Sequence, residues 1–241
     1  MVKTILVLSL FWLSAAVLSP IAILYMLFDI IGLMALVRPV LGVMARAWAR
    51  FFLRAMGVSV VVSGLENVPD EERLCFVSNH QGDLDIVLML AFMPRPVGFI
   101  AKSEAAWFPF VNLWIAALGS AFIRRKSPRQ GKKAIDRGVR NIERGHALVI
   151  YPEGTRSRGP TMLPFRKGAF KLATRSEATI VPITIDGTWK AWESHNRIES
   201  AQISLVVHPA FPTANLSIEE KKDLPEHIEA VIKSGLSAGG S

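Results

Sequence analysis

At 241 residues the chain is long enough for one ordinary domain with a small appendage and too short for several. Its 51% apolar content and mean hydropathy of +0.33 exceed those of an ordinary soluble domain and direct attention to a membrane segment. A net charge of +8 and a pI near 9.9 point to an acidic or phosphate-bearing partner, while the lone Cys75 excludes an internal disulfide and a cysteine-built metal site.

Residues 4–28 carry no charge, enough for a helix of bilayer length, although Pro20 must kink it. Asp29 follows, then a second uncharged run to residue 37. A cleaved signal peptide fits this stretch less well, because the run is too long and no small-residue site ends it. A buried helical hairpin of a soluble protein is the other alternative. From Val40 onward Arg46, Arg50 and Arg54 recur every four residues among apolar side chains. This pattern predicts an interfacial helix with its arginines turned to lipid phosphates. With Arg38, these charges place the rest of the chain on the cytoplasmic side by the positive-inside rule. Residues 1–56 therefore read as membrane-anchoring helices, spanning or half-inserted, and 57–241 as a globular domain.

In that domain strands are predicted at 59–62, 74–77, 97–101, 121–123, 147–151, 180–185 and 203–207. Helices are predicted at 85–92, 109–118, 129–144, 168–175 and 225–232. The alternation implies an α/β fold, a largely parallel sheet flanked by helices. Cys75, in the apolar strand 74–77, reads as core filling. The polar candidates cluster after strands: Asn79-His80 after 74–77, Lys102-Ser103-Glu104 after 97–101, Arg124-Arg125 after 121–123, and Pro152-Glu153-Gly154-Thr155-Arg156 after 147–151. In a parallel sheet those positions share one edge, which predicts one shared site.

His80 is of the residue type that can take a proton from a hydroxyl and return it to a leaving group. A carboxylate on its other ring nitrogen would fix the tautomer, and Asp85 lies one turn into the next helix. No Ser or Cys nucleophile accompanies them, which favours direct attack by a substrate hydroxyl. Alone, a His with an Asp five residues on fits a His capping a strand or helix end better than a catalytic pair. Asp83 reads as a helix N-cap, or with His80 and Asp85 as a metal ligand. Lys102, Arg124, Arg125, Arg156 and Arg158 carry charge suited to phosphate. Gly154 permits an unusual backbone angle, and Glu153 suits glycerol hydroxyls, an arginine or a structural salt bridge. The basic residues 132–144 fall in a helical stretch and read first as a solvated face. Val181-Pro182-Ile183 reads as core strand or as the lining of an acyl-chain groove.

Four blocks in order then resemble the 1-acyl-sn-glycerol-3-phosphate (lysophosphatidic acid) acyltransferase family: Asn79-His80-Gln81-Gly82-Asp83-Leu84-Asp85, Gly119-Ser120-Ala121-Phe122-Ile123-Arg124-Arg125, Tyr151-Pro152-Glu153-Gly154-Thr155-Arg156-Ser157 and Val181-Pro182-Ile183. Lys102-Ser103-Glu104 and Phe165-Arg166-Lys167-Gly168 also look like family segments. Tyr151 replaces the commoner Phe, and Arg124 stands where many members have Asp. The resemblance implies a glycerolipid acyltransferase-like fold with N-terminal helices at the membrane. It implies His80 as base and Asp85 as partner, with Lys102, Arg124, Arg125, Glu153, Gly154, Thr155 and Arg156 toward the glycerol phosphate. The implied reaction moves an acyl group from acyl-CoA or acyl-carrier protein to the sn-2 hydroxyl of lysophosphatidic acid, with no metal and no redox cofactor. The expected location is membrane-anchored on the cytoplasmic face, the inner membrane if the source is bacterial. Rival readings are another lysolipid or aminoacyl-lipid acceptor, a metal-dependent phosphoesterase, and a non-catalytic anionic-lipid binder. Nucleic acid is disfavoured because no aromatics interleave the basic residues.

Overall fold

The computed structural model describes residues 1–123 and 128–236, so Arg124 and Arg125 lie outside the described residues. Three helices come first: α1 (Val2–Val17), α2 (Ser19–Ile30) and α3 (Met34–Ala55). Seven strands follow: β1 (Ser59–Ser63), β2 (Leu74–Ser78), β3 (Val97–Lys102), β4 (Ala121–Ile123), β5 (Ala147–Ile150), β6 (Thr179–Asp186) and β7 (Gln202–Val207). Between and after them lie α4 (Leu84–Phe92), α5 (Val111–Ala117), α6 (Pro128–Glu143), α7 (Lys171–Ser176), α8 (Thr188–Ala191) and α9 (Ile218–Ser234). The strands pair in the order β1-β7-β6-β2-β5-β3-β4.

Every adjacent pair is parallel except β6 with β7, so β6, β2, β5, β3 and β4 end on one edge. All five residues of β2 and all four of β5 are buried, as expected of strands covered on both faces. Val181-Pro182-Ile183 lies in β6, with Val181 and Ile183 fully buried, and is core rather than groove lining. Pro182 has no N–H. It falls where the ladder to β7 breaks, between the Ile180↔Phe211 bridge and the Ile183↔Val207 pair.

The N-terminal helices belong to this core. Phe52 and Leu53 of α3 and its C-cap Met56 share one apolar cluster with Phe76 of β2 and Leu88 of α4. The arginine stripe of α3 has another use than the one expected. Arg50 Nε donates to Ala91 O at 3.0 Å, and Arg46 Nη1 to Pro94 O at 2.9 Å. Both cap the carbonyl end of α4, where cations also offset the helix dipole, while Arg54 is exposed. Arg38 does the same for α6, donating to Gly145 O at 2.7 Å and Arg144 O at 3.2 Å. Spacing fixed the shared face of Arg46 and Arg50 and left open what that face meets.

Helix α9 begins seven residues before the predicted segment at 225. A capping box starts it: Ser217 Oγ accepts the Glu220 N–H, and Glu220 returns the bond to the Ser217 N–H.

Candidate active site

The carboxyl edge of the parallel block gathers His80 after β2, Lys102 at the end of β3, Tyr151–Arg156 after β5 and Thr188 after β6. The segment carrying His80 is fixed to β6 on its far side. Asn79 Nδ2 donates to Ile185 O, and the Ile185 N–H donates back to Asn79 Oδ1, both at 2.8 Å. Gln81 Oε1 accepts the Gly187 N–H at 2.8 Å. On the β5 side, Ser157 N–H donates to His80 O at 2.8 Å and Arg158 N–H to Gln81 O at 3.1 Å. The backbone around His80 is therefore held from both neighbouring strands.

His80 Nδ1 lies 2.7 Å from Asp85 Oδ2. The same oxygen accepts the Gly82 N–H at 3.0 Å, and Oδ1 accepts the Thr188 hydroxyl at 2.5 Å. Asp85 is fully buried and His80 nearly so. A carboxylate with three donors on it can only accept from Nδ1, which puts the ring proton there and leaves Nε2 with its lone pair. The imidazole stacks on the Tyr151 ring at 4.1 Å and 15°, which fixes its plane. Nothing in the sequence near residue 80 pointed to Thr188, and only the order of β6 beside β2 brings it there.

Tyr151 Oη is buried with no partner in the described residues, and burial raises its pKa well above 10. The ring serves His80 and the hydroxyl does not. Tyr151→Phe is therefore expected to keep turnover near wild type and to leave stability unchanged or raise it by roughly 1 kcal/mol. A clear loss in turnover at equal melting temperature would show that the hydroxyl takes part.

Glu153 stands behind the groove wall rather than on it. Its residue is 3% exposed, Oε1 accepts the His80 N–H at 2.6 Å, and Oε2 accepts the Leu163 N–H at 2.9 Å. With both oxygens on backbone, it positions His80 and the loop after β5. Burial pushes its pKa up to about 7, against the pull of those two N–H groups. A raised carboxylate pKa means that the fold holds a proton there which the unfolded chain has released. Stability from this group is thus present below pH 4.5 and lost as pH rises to about 7. Glu153→Gln should remove that fall from a melting-temperature profile. An unchanged profile in the variant would contradict the assignment.

Asp83 sits at the N-cap of α4 but makes no side-chain capping bond. Its carboxylate pairs with Arg156, while its N–H donates to Glu193 Oε1 at 2.8 Å. Arg156 also lies 3.7 Å from Glu193. No local signal marked Glu193, whose carboxylate packs against Gly82 so closely that a Cβ there would clash with it. Gly154 adopts φ +71°, the left-handed turn anticipated for it. Lys102 ion-pairs with Glu104 at 3.0 Å, and Thr155 is exposed.

These groups open onto a groove of about 1670 Å³. Its basic end holds His80 with Lys102, Arg156, Arg158 and Arg166; Lys132, Lys171, Arg175, Asp83 and Glu104 also line the groove, and the larger, apolar part of the lining includes Phe11 and Trp12 of α1, Trp48 of α3, Val87 of α4 and Trp114 of α5. It exceeds the roughly 300–1,000 Å³ of pockets for drug-sized ligands and suits an extended amphiphile. Of the sequence candidates, Lys102, Gly154, Thr155 and Arg156 line it beside His80; Asp85 and Glu153 support it from behind. Arg158 and Arg166 complete the basic end.

A family model described as acyltransferase matches residues 59–186, more than half of the chain. The chain belongs to the acyltransferase family. Similar acyltransferases include the 1-acyl-sn-glycerol-3-phosphate acyltransferase of Borreliella burgdorferi, 29% identical over 77% of this chain and 75% of that protein. The human 1-acyl-sn-glycerol-3-phosphate acyltransferase alpha is 31% identical over 71% of this chain and 62% of its own length. The crystal structure of the 1-acyl-sn-glycerophosphate (LPA) acyltransferase, PlsC, from Thermotoga maritima shares the fold. Its TM-score is 0.78 at 24% identity, over 100% of this chain and 98% of that one.

Proposed function

We propose that this acyltransferase moves a fatty acyl group from a thioester to the sn-2 hydroxyl of lysophosphatidic acid, forming phosphatidic acid at a membrane surface. The observation that carries this reading is the groove itself. A buried His80–Asp85 pair stands where an apolar channel meets a basic end, and no Ser hydroxyl or Cys thiol among the described residues bonds to the His80 ring.

His80 Nε2 takes the proton of the sn-2 hydroxyl as that oxygen attacks the thioester carbonyl carbon. The carbon–sulfur bond then breaks, and the imidazolium returns its proton to the departing thiolate. Asp85 stabilises the imidazolium in between. Atoms and electrons balance without a metal or redox cofactor. Arg156, Arg158, Arg166 and Lys102 face the lipid phosphate. The donor is acyl-CoA or acyl-carrier protein, either of which leaves as a free thiol.

The domain lies on one membrane leaflet through α1 and α2. No single helix among the described residues is long and apolar enough to span; α1 and α2 pass that test together but bend by 45°. Alone, they reach about 24 and 18 Å against a core of about 30 Å. Both ends of this bent rod are tied to the same domain. Near the start of α1 Thr4 Oγ1 accepts the Ile198 N–H at 3.0 Å, and Asp29 of α2 faces His146 at 3.6 Å. The outer face carries Leu6, Leu13, Leu24 and Leu27, all exposed, which suits half-insertion in the acyl region. The cytoplasmic leaflet, with its anionic lipids, is the side suited to the basic domain.

The test is a panel of lysolipid acceptors given to detergent-purified protein with acyl-CoA, with the product identified by mass. Phosphatidic acid formed preferentially from lysophosphatidic acid is expected. Preferential acylation of a lysolipid with another headgroup would reassign the acceptor.

A further inference from the structure

A second, smaller cavity of about 280 Å³ lies at the opposite edge of the sheet. Arg137 and Arg140 of α6, Arg144 just past its end, Ser120, His146 and Asp29 line it. Ser120 and His146 immediately precede β4 and β5, whereas His80 and Glu153 follow the carboxyl ends of β2 and β5. The four residues of β5 thus separate the two sites by about 13 Å of strand. The acyl-transfer step uses none of these groups.

The three arginines recur at intervals of three and four and share a helix face. Cations at a helix carboxyl end commonly offset its dipole. Here Arg38 already holds the terminal carbonyls of Arg144 and Gly145, so the trio is not required for capping. Among the described residues no carboxylate forms a salt bridge with Arg137, Arg140 or Arg144. Asp29, the one carboxylate in the wall, faces His146 instead. The floor is rigid: Asn141 Nδ2 donates to Gly119 O at 2.6 Å, and Ser120 Oγ accepts the Phe99 N–H at 2.9 Å.

Three guanidinium groups against one carboxylate leave an excess of two positive charges around a concave polar space. A phosphate monoester carries about −1.5 to −2 at neutral pH, and guanidinium forks match its oxygens. The mouth adjoins the turn between α2 and α3, where Ile30 and Ile31 are 79% and 63% exposed. Apolar side chains beside a phosphate-sized basic pocket fit the boundary between acyl chains and headgroups. We infer that this pocket is an accessory phosphomonoester site, separate from the acyl-transfer groove, filled by a lipid headgroup phosphate or by a free phosphate ester. The lipid source rests on the one-leaflet placement proposed above; the phosphate chemistry does not.

The test compares full-length wild type with a variant carrying Arg137→Gln, Arg140→Gln and Arg144→Gln. In one arm, flotation is measured with phosphatidylcholine vesicles, with and without phosphatidic acid. In the other, inorganic phosphate is titrated in detergent and the melting temperature read. Both proteins keep the groove, so the difference between them reports the pocket. A preference for phosphatidic acid that drops about tenfold or more in the variant assigns a lipid headgroup. A phosphate-induced rise in melting temperature lost in the variant, with no change in flotation, assigns a free phosphate ester and speaks against the lipid source. Equal behaviour of the two proteins in both arms overturns the site. So does a variant that loses turnover in detergent, because its arginines would then serve the acyl-transfer groove.

Discussion

His80→Ala is expected to lower turnover by about a thousandfold or more, since it removes the base placed between the groove and a buried carboxylate. The loss should fall on kcat, because the apolar channel and the basic end that bind the acceptor are untouched. His80→Gln is the better control for folding. It fills part of the space against Tyr151 and can still donate to Asp85, yet it cannot take a proton. Both variants should be inactive, with the Gln form melting nearer to wild type. Near-normal turnover in either would end the proposed mechanism.

Asp85→Ala should be the second largest effect, and it should strike activity and stability together. Three donors lose their acceptor at once: His80 Nδ1–H, the Gly82 N–H and the Thr188 hydroxyl. Each buried donor left alone costs roughly 1–3 kcal/mol, less than additively when neighbours relax. The ring is then free to carry its proton on Nε2, where it cannot act as base. Asp85→Asn is predicted to be milder. The Gly82 N–H selects the amide oxygen for the inner position, which keeps an acceptor on His80 Nδ1. The Thr188 hydroxyl can turn to accept from the amide. Only the negative charge opposite the imidazolium is lost. Turnover should therefore rank wild type, Asn, Ala, as steady-state assays can measure. Equal losses in Asn and Ala would show that charge alone matters and that the tautomer argument is unnecessary.

The sequence conveyed the seven strands because their apolar runs are unbroken: buried on both faces, β2 and β5 leave no polar position to blur the pattern. It also conveyed that the polar residues after them share an edge. Strand direction is not written in such runs, and the antiparallel turn of β7 against β6 was invisible. The supports of the site were hidden for a related reason. Thr188 and Glu193 reach His80–Asp85 and Asp83 across more than a hundred residues, through sheet order alone. Glu153 was legible as part of the site, but burial and two backbone donors make it a support of His80. The α3 arginines show the same limit, since α4 and α6 supply carbonyl partners that no local spacing records. The Ser217–Glu220 capping box, by contrast, was readable in the chain and marks where α9 starts.

The most direct test of the central claim is thiol release from acyl-CoA by purified protein, measured with and without lysophosphatidic acid, for wild type and His80→Gln of matched melting temperature. The account predicts release by wild type that depends on the acceptor and none above background in the variant. Acceptor-dependent release that persists in the folded variant would contradict it.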